Sequence, residues 1–428
     1  MTGTVFILPI RLKKVRFSGN FRQRFYTPVM VTFLFANVLN LLVALVLLGI
    51  VRRYWRANRR VRRLLKDDSF WVRRGDAPCQ KNTQVSIIIP ARDEEDNIKE
   101  CVEHALAQSH ENIEVIVLND NSTDNTLKIL QQFDDPRLLI VNGAEEPPEG
   151  WRGKPWACQR AAKQASGEWL MFIDADVRIA PEAVAATIGY CQQQQIQYLT
   201  GLDKHVLGSF SERALHAYFI FDMGFQRDWV AINDPDSPQC VGNGRFMIFN
   251  RETFHELGGF ETVANKIIED EALGKLVKEK QIPFRALGLV DVVSVRMYSS
   301  NSEVLQGWFK TISGALIDGN DGKSLSWLKA CLITGLIILK YCLWDAFIYI
   351  ASLLALIGLL PLWILPLSLG GMAMVHSNRW LFARVLGLNP LVDQLFLLPG
   401  LLMLLPTYLF AVYKAAKGTA SWKGRKLA

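Results

Sequence analysis

The feature that most restricts how this chain can fold is an apolar run of bilayer length near its start. Residues 29–51 are almost all apolar, and Asn37 and Asn40 are the strongly polar members. A helix needs about 20 such residues to cross the hydrocarbon core of a bilayer. A cleaved signal peptide is the alternative, but the run is long for a signal and is followed by arginines instead of small residues. We therefore predict a transmembrane helix over 29–51.

Basic residues flank this run on both sides. Six lysines and arginines lie in the preceding segment, 1–28, and a denser cluster lies in 52–66, at the start of a predicted linker. The net charge of +7 therefore describes these flanks more than the middle of the chain. Because lysine and arginine favour the cytosolic side of a membrane, the denser cluster predicts that the residues after it are cytosolic.

Two apolar runs near the end of the chain, 345–367 and 391–413, are the best candidates for further crossings. Two crossings would place the basic tail on the same side of the membrane as the middle region of the chain. This even number of crossings agrees with a cytosolic middle region. A shorter run, 330–339, lies between Lys329 and Lys340, and we interpret it as an interfacial or re-entrant helix. The chain is thus predicted to be a multi-pass protein of the cell membrane.

These runs divide the chain into seven segments, of which the fourth reads as a globular domain. The helical apolar pattern at 302–316 fits either a bilayer surface or packing on the protein's own core. The predicted order is a basic N-terminal segment (1–28), a transmembrane helix (29–51), a basic juxtamembrane linker (52–83), a globular domain (84–300), amphipathic or interfacial helices (301–340), a transmembrane region of about two spans (341–413) and a basic cytosolic tail (414–428).

The seven cysteines are dispersed, with no CxxC pair and no histidines at the spacing of a zinc site. An odd, scattered set argues against a disulfide framework or a structural zinc ion. We therefore expect the globular domain to lie in a reducing compartment.

The globular domain alternates strand and helix patterns. Three short apolar runs, 85–89, 115–118 and 169–173, are typical of strands that are buried on both faces. The first is followed by one apolar helical face over 98–105, and the second by the N-cap candidates Asn and Ser at 121–122. This order predicts an α/β fold with a mainly parallel central sheet and right-handed crossovers.

Acidic residues follow each of these strands. The segments 92–95, 119–122 and 174–176 all carry carboxylates, and ligands of such sheets bind beyond the carboxyl ends of the strands. No GxGxxG follows the first strand and no Walker-type phosphate loop is present in the sequence. Recognition of a nucleotide would therefore depend on the carboxylates and a metal ion.

The segment Asp174-Ala175-Asp176 carries the central signal. In an extended segment, residues two apart point the same way, so both carboxylates could face one divalent cation, Mg²⁺ or Mn²⁺. Such an ion could bridge the oxygens of a diphosphate. A surface turn with two solvated aspartates is the alternative, but its position directly after a buried strand favours the metal site.

Three residues are candidates for contacts to the rest of a nucleotide. Asp120 could accept a hydrogen bond from a base such as uracil, with helix capping as the alternative. Glu94 could bind ribose hydroxyls, or it could be a solvated residue of a helix start. Lys154, in a Gly-rich aromatic loop, could meet the diphosphate, although a solvent-facing lysine is the competing interpretation.

The acidic triplet at 269–271 could provide a general base. Three adjacent carboxylates repel one another, which raises the pKa of at least one unless a cation or hydrogen bonds compensate. An acceptor hydroxyl that attacks an anomeric carbon needs a base, which typically contributes about 10²- to 10⁴-fold in rate. Asp270 is our choice for that base, and a solvated helix start is the alternative.

In this order the motifs resemble the family 2 glycosyltransferases, which have a GT-A fold. The resemblance covers about 84–314, and Asp93 stands where the family often has Asn before its Glu. The matching segments are Val-Ser-Ile-Ile-Ile-Pro at 85–90 with Glu94, Leu-Asn-Asp-Asn-Ser at 118–122, Asp-Ala-Asp at 174–176, Gly-Gly-Phe at 258–260 and Glu-Asp-Glu at 269–271.

The resemblance implies a nucleotide-diphospho-sugar transferase domain that inverts the anomeric carbon by direct displacement. Asp176 would bind the metal with Asp174 nearby, and Asp270 would be the base. The implied nucleotide-sugar site consists of Pro90, Ala91, Glu94, Asp120, Lys154, Asp174 and Ala175.

Features outside the core motifs resemble the subgroup near the carotenoid- and hopanoid-associated glycosyltransferases and the ceramide glucosyltransferases. The processive branch carries a QxxRW motif, whereas this chain has Gln-Gly-Trp-Phe-Lys at 306–310 and an Arg-Trp pair without Gln at 379–380. A lipid acceptor is therefore expected. Candidate residues around it are Asn243, Arg245, Glu269, Glu271, Arg296 and Trp308.

The sequence thus predicts an inverting, metal-dependent glycosyltransferase that moves a sugar from a nucleotide diphosphate, UDP by resemblance, to a membrane lipid. The acceptor would be a hydroxylated carotenoid, a hopanoid or a glycolipid precursor, and no nucleic acid is expected as a partner. The alternatives are a non-catalytic nucleotide-sugar-binding membrane protein and a polysaccharide synthase. A nucleotidyltransferase would need several basic residues at the first strand, where Arg92 is available.

Overall fold

The computed structural model describes residues 19–143, 145–337 and 343–427. Most of the predicted N-terminal basic segment (1–18) lies outside these residues, as do residues 338–342 around the end of the predicted interfacial run.

The first described element is one continuous helix, α1 (Gly19–Leu64). It includes the predicted span 29–51 and continues to Leu64, through the basic cluster that begins the predicted linker. The physical reason is composition, because 52–64 contains no Gly or Pro and is rich in Arg, which favours helix.

The remaining helices and strands alternate through the middle of the chain and give way to helices near its end. The strands are β1 (Val85–Ala91), β2 (Ile113–Asn119), β3 (Leu138–Asn142), β4 (Trp169–Ile173), β5 (Val177–Ile179), β6 (Tyr198–Leu202), β7 (Lys204–His205), β8 (Phe246–Asn250), β9 (Phe284–Gly288), β10 (Val293–Val295), β11 (Ser421–Trp422) and β12 (Arg425–Lys426). The helices are α2 (Ile98–Leu106), α3 (Thr126–Leu130), α4 (Gly153–Ala162), α5 (Ala183–Gln194), α6 (Ala217–Gln226), α7 (Trp229–Ile232), α8 (Arg251–Glu256), α9 (Glu269–Glu279), α10 (Asn301–Asp318), α11 (Trp327–Ile337), α12 (Leu343–Leu356), α13 (Leu365–Val385), α14 (Pro390–Leu395) and α15 (Leu397–Lys417).

The central sheet has seven strands in the order β3-β2-β1-β4-β8-β6-β9. Strands β3, β2, β1 and β4 are parallel, β8 is antiparallel to both of its neighbours, and β6 is parallel to β9. The predicted α/β class with a mainly parallel sheet is confirmed. The antiparallel insertion of β8 was not predicted.

Strand β1 shows why the predicted strands have no polar face. Ile87 and Ile89 pack into one core with α2 and α5, whereas Ile88 packs on the opposite face with Phe172 of β4. All four side chains are at most 1% exposed. Burying such a side chain fully stabilises the fold by about 1.5–3 kcal/mol, so both layers contribute to holding the sheet.

Helix α2 lies where the pattern predicted it, with Ile98 among its buried residues. Helix α3 begins at Thr126, so the predicted N-caps at 121–122 are wrong. Asn121 has φ of 54°, and the Asp124 carboxylate accepts from the backbone N–H of Thr126 at 2.9 Å. The loop is therefore longer than predicted, because Asn and Asp tolerate turn conformations better than most residues.

The C-terminal region differs from two simple spans. The predicted span 345–367 is not one helix, because Gly358 has φ of 79° and Pro361 lacks a backbone N–H between α12 and α13. The predicted span 391–413 corresponds to α14 and most of α15.

Among the described residues, two helices are long and apolar enough to cross a membrane, Thr32–Leu64 and Leu397–Lys417. Two shorter apolar helical stretches are Trp327–Leu336 and Ala346–Leu356. Length and composition therefore permit crossings at both ends of the chain.

The predicted helix at 302–316 is present as α10, and its apolar side packs on α15 and on a π-helical turn, Glu212–His216. The apolar side of α10 is therefore covered by other helices of the protein, and an interfacial position of 301–340 stays a prediction.

The last described residues form a hairpin from β11 and β12, and the tip of this hairpin is Lys423 and Gly424. Both tip residues have positive φ, 43° and 79°, as expected for a two-residue hairpin turn of type I′. At its base, Ala420 and Leu427 are buried in an apolar cluster with Val412 of α15. The hairpin over 421–426 is therefore packed on the protein through its base, and a cytosolic position of 414–428 stays a prediction.

Candidate active site

Four carboxylates lie near the edge of the sheet where β1, β2 and β4 end. Glu94 follows β1, Asp120 follows β2, and Asp174 and Asp176 follow β4. The backbone N–H of Asp120 donates to the carbonyl of Ala91 at 2.8 Å, which joins the ends of the first two strands. The parallel register therefore places the predicted acidic loops on one edge.

Three predicted site residues with small side chains, Pro90, Ala91 and Ala175, form part of the backbone framework of this edge. Pro90 and Ala91 are the last two residues of β1, and the side chains of Ala91 and Ala175 are 1% and 2% exposed. A role of these residues in nucleotide binding stays a prediction.

Lys154, in the first turn of α4, connects the sheet edge to α9. Its Nζ lies 2.7 Å from Asp174 Oδ1 and 3.1 Å from Glu269 Oε1. Burial alone would lower the pKa of Lys154, but these two carboxylates outweigh it and raise the pKa above its usual range. Lys154 is therefore a permanent cation within the site.

Asp176 is the least satisfied carboxylate of the edge. Its Oδ1 is buried and has no hydrogen-bond partner within the described part of the protein. Burial, together with the charge of Asp174, raises the pKa of Asp176 to about 7. Since a buried carboxylate normally requires a partner, this oxygen is suited to a cation.

The described residues contain no group of three or more His, Cys, Asp or Glu side chains that could hold a metal ion without other ligands. Mg²⁺ is commonly bound by one or two carboxylates together with substrate phosphates and water. The free oxygen of Asp176 therefore fits a cation that is shared with a phosphate-bearing ligand.

Asp270 lies in the first turn of α9, against the loop that precedes β8. Its Oδ2 accepts from the backbone N–H of Gly244 at 2.7 Å, and its Oδ1 accepts from the N–H of Glu271 at 2.9 Å. A Cβ on Gly242 would lie 1.7 Å from the carbonyl oxygen of Asp270, and one on Gly244 would lie 2.9 Å from Lys154 Nζ. Glycine is required at Gly242, because there the loop runs directly along the backbone of α9.

Asn243 and Arg245 are held by a buried carboxylate that the sequence did not reveal. Arg245 donates from Nε and Nη2 to the two carboxylate oxygens of Asp203, each at 2.9 Å. Asn243 Nδ2 donates to Asp203 Oδ1 at 2.9 Å and to the carbonyl of Gly201 at 2.8 Å. Burial would raise the pKa of Asp203, but Arg245 holds it well below its usual range.

Two other predicted acceptor residues are engaged in ion pairs. Glu271 pairs with Arg227, and Arg296 lies 3.8 Å from Glu212. The pKa of Glu271 is nevertheless raised, because burial outweighs the attraction to Arg227. Contacts of either side chain with an acceptor stay a prediction.

The structure does not bring Trp308 to the acidic edge. Its ring stacks on Phe219 with 3.8 Å between centroids, inside the apolar cluster between α10 and α6. The Arg-Trp pair at 379–380 is also structural, because Arg379 forms a buried two-point ion pair with Asp393 at 2.5 and 2.9 Å.

Two residues at the acidic edge were missed by sequence reasoning. Lys423 Nζ lies 2.6 Å from Glu94 Oε1, and Arg425 Nη1 lies 2.5 Å from Asp120 Oδ2. The signal available in the sequence was Lys-Gly-Arg after Trp422, a possible hairpin turn in a stretch that reads as a charged tail. The edge thus contains interleaved carboxylates and cations from distant parts of the chain.

The fold and the site define a mixed α/β protein with an acidic site at the carboxyl edge of its sheet. Residues 86–257 match the family described as Glycosyl transferase family 2. The resemblance inferred from the sequence motifs is confirmed.

Curated relatives include the 4,4'-diaponeurosporenoate glycosyltransferase of Staphylococcus aureus strain USA300, which is 28% identical over 232 residues. The corresponding protein of strain MRSA252 is 29% identical over 232 residues. Each match covers 54% of this chain and 60% of the relative, so the chain spans less than two thirds of these proteins.

Solved structures that match this chain include the mannosyltransferase PcManGT from Pyrobaculum calidifontis in complex with GDP-Man and Mn²⁺. It is 16% identical, with a TM-score of 0.47 and coverage of 90% of this chain and 100% of that chain. Residues 1–349 of S. aureus TarS in complex with UDP-GlcNAc are 14% identical, with a TM-score of 0.38 and coverage of 78% and 92%. Both TM-scores are below 0.5, so neither likeness assigns the fold.

Proposed function

We propose that this chain is an inverting glycosyltransferase that transfers a sugar from a nucleotide diphosphate to a lipid acceptor at the cytosolic face of the membrane. The observation that carries the proposal is the unpartnered buried oxygen of Asp176, on the same edge as Lys154 and Asp270. The match of residues 86–257 to Glycosyl transferase family 2 supports the reaction class.

The donor would lie along the edge formed by the ends of β1, β2 and β4. Asp120 is 4% exposed and directly follows β2, which suits a hydrogen bond from the base of UDP. Glu94 directly follows the turn after β1, where it can accept from ribose hydroxyls. Both carboxylates accept charge-assisted hydrogen bonds from basic side chains in this structure, so each is placed as an acceptor at this edge.

The diphosphate would lie beside Asp176 and Lys154. A divalent cation, Mg²⁺ or Mn²⁺, held by Asp176 with Asp174 nearby, would neutralise the charge that develops on the departing nucleoside diphosphate. Lys154 contributes a fixed positive charge at the same place, because its two carboxylate partners keep it protonated.

Asp270 is the proposed general base. Each of its oxygens accepts one backbone hydrogen bond, which orients the carboxylate and leaves further lone pairs free. The acceptor oxygen attacks the anomeric carbon as the bond from that carbon to the phosphate oxygen breaks, and Asp270 takes the acceptor's proton. Displacement in one step inverts the configuration.

A lipid acceptor is supported by the apolar surface of the helices around the domain. Phe35 of α1, Leu353 of α12 and Leu402 of α15 are 76%, 58% and 77% exposed. Exposed apolar surface of this extent is typical of membrane contact. The name of the curated relatives indicates a carotenoid-type substrate for those proteins, and we propose an acceptor of the same kind, with a hydroxyl or carboxyl group.

The test uses the purified full-length protein in detergent with a panel of UDP- and GDP-sugars, membrane lipid extract, and Mn²⁺ or EDTA. Released nucleotide and new glycolipids are measured, the latter by mass spectrometry. Transfer that requires the metal, is lost in Asp176→Asn and is retained in the exposed control Asp236→Asn is expected. If no sugar nucleotide is consumed in the presence of any lipid fraction, the proposal is wrong.

The acceptor is identified in cells. Mass spectrometry of membrane lipids with and without the gene is expected to show one missing glycolipid, which names the sugar and the acceptor together. An unchanged lipid profile would exclude a membrane lipid acceptor under those conditions of growth.

A further inference from the structure

The C-terminal hairpin places Lys423 on the carboxylate proposed to hold the ribose. Its Nζ donates to Glu94 Oε1 at 2.6 Å, to the carbonyl of Arg92 at 2.7 Å and to the carbonyl of Asp93 at 3.2 Å. The ammonium therefore closes the loop after β1 with three hydrogen bonds.

Arg425 occupies the neighbouring position on the carboxylate proposed to hold the base. Its Nη1 donates to Asp120 Oδ2 at 2.5 Å, and its Nη2 lies 2.9 Å from Glu146 Oε2. A Cβ added to Gly153 would lie 2.4 Å from Arg425 Nη1, so the guanidinium also lies against the first turn of α4, next to Lys154. The two tail cations thus extend from the end of β1 to the start of α4.

Lys423 and Arg425 are held in place by a folded element, the hairpin of β11 and β12. Ala420 and Leu427 anchor the hairpin in the apolar cluster beside α10 and α15, and Lys310 of α10 lies 5.8 Å from the ring centroid of Trp422. At the tip, Lys423 has a left-handed φ of 43°, which is uncommon for a residue with a side chain. The type I′ turn of the hairpin accounts for this conformation, and the three hydrogen bonds from Nζ hold the side chain at the loop after β1.

The negative charge of the acidic edge indicates a role for Lys423 and Arg425. A nucleoside diphosphate brings further negative charge to an edge that already carries several carboxylates, and like charges within a few ångströms repel strongly in a partly buried site. Lys154 is already shared between Asp174 and Glu269. The carboxylates of this region are Glu94, Asp120, Asp174, Asp176, Glu269 and Asp270.

We propose that Lys423 and Arg425 are donor-binding residues that exchange partners when the nucleotide enters. The phosphate oxygens take over the two cations, and Glu94 and Asp120 are released to the ribose and the base. The hairpin then closes over the diphosphate, so the end of the chain completes the donor site. This inference rests on the proposed function and adds two named ligands to it.

The experiment compares binding of UDP and of uridine to the full-length protein in detergent at a fixed Mn²⁺ concentration, by calorimetry, with GDP and guanosine in parallel. The variants are Lys423→Ala and Arg425→Ala, which keep the buried base of the hairpin. Lys426→Ala is the matched control, because Lys426 carries the same charge and is exposed on the same hairpin. Thermal unfolding of each variant verifies that it is folded.

The expected result separates phosphate from nucleoside. Each site variant weakens binding of the diphosphate by roughly 10- to 100-fold, the effect of losing one charge-assisted hydrogen bond. Binding of the nucleoside is unchanged or tighter, because Glu94 and Asp120 no longer have a competing cation. Lys426→Ala binds both as the wild type does.

Three other outcomes overturn the inference. Unchanged or tighter binding of the diphosphate in both variants means that the hairpin merely competes for the site. An equal loss of diphosphate and nucleoside means that the hairpin only supports the shape of the pocket. If the wild type binds neither UDP nor GDP, the proposed function fails together with the inference, whereas wild-type binding with unaffected variants removes the inference alone.

Discussion

The free oxygen of Asp176 leads to a prediction in which stability and metal response change in opposite directions. Replacement of Asp176 by Asn removes a negative charge from a carboxylate whose Oδ1 is buried and has no hydrogen-bond partner within the described residues. We expect the variant to be more stable than the wild type in EDTA and to lose the stabilisation that Mn²⁺ with UDP gives the wild type.

The magnitude follows from the pKa. Burial raises the pKa of Asp176 from 3.8 to about 7. At about 1.4 kcal/mol for each pKa unit, the ionised side chain would cost about 4 kcal/mol if it were fully shielded. Asp176 is partly exposed, so solvent screening reduces this to about 2 kcal/mol. Between pH 3.8 and about 7, Asp176 is protonated in the folded protein and ionised in the unfolded chain. The free energy of unfolding therefore falls as the pH rises through this range.

The assay is thermal unfolding of the full-length protein in detergent at two pH values. Asp176 of the folded protein is largely ionised at about pH 8 and largely protonated at about pH 4. In EDTA at the higher pH, Asp176→Asn is expected to unfold about 4–8 °C above the wild type, and the difference should shrink at the lower pH. Mn²⁺ and UDP at about 100 times their dissociation constant would add about 2.7 kcal/mol to the wild type alone.

Asp236→Asn is the control, because it removes the same charge from an exposed position and should leave the unfolding temperature unchanged. The reasoning is refuted if Asp176→Asn is less stable than the wild type in EDTA at the higher pH. It is also refuted if the variant responds fully to Mn²⁺ and UDP.

Three further changes test the neighbouring parts of the site. Asp270→Asn should leave UDP affinity within about twofold while lowering transfer by about 10²- to 10⁴-fold, and near-normal turnover would exclude it as the base. Gly242→Ala should destabilise the protein by about 1–3 kcal/mol in thermal unfolding, because its Cβ would lie 1.7 Å from the carbonyl oxygen of Asp270. The control Gly335→Ala should leave the unfolding temperature unchanged, because its Cβ would meet no atom within 4 Å. Equal destabilisation by the two substitutions would contradict the packing argument. Lys154→Met should destabilise by up to about 3 kcal/mol, since it leaves the buried Glu269 without its cation, and an unchanged unfolding temperature would show that the pair is dispensable.

The central strands and their acidic ends could be predicted because both depend on local sequence. Ile87, Ile88 and Ile89 form a run without a polar face, and such a run requires cover on both sides of a sheet. Parallel strands place their carboxyl ends on one edge, so the order of the strands along the chain is enough to assign Asp120 and Asp174 to one region.

Other features of the structure depend on long-range contacts that the local pattern does not specify. Trp308 reads as part of an amphipathic helix, but Phe219 provides a stacking partner from a distant segment. Strand β8 inserts antiparallel between β4 and β6, an order that the run Phe246–Asn250 cannot specify by itself.

What the sequence by itself determined is the class of the domain, the helix of bilayer length and the carboxylates at the strand ends. What only the tertiary structure decided is which cations meet those carboxylates. Arg425 and Asp120 are separated by 305 residues, and Lys423 and Glu94 by 329. Such pairs have no local signature, because they depend on the anchoring of the hairpin by Ala420 and Leu427 after the rest of the chain has packed.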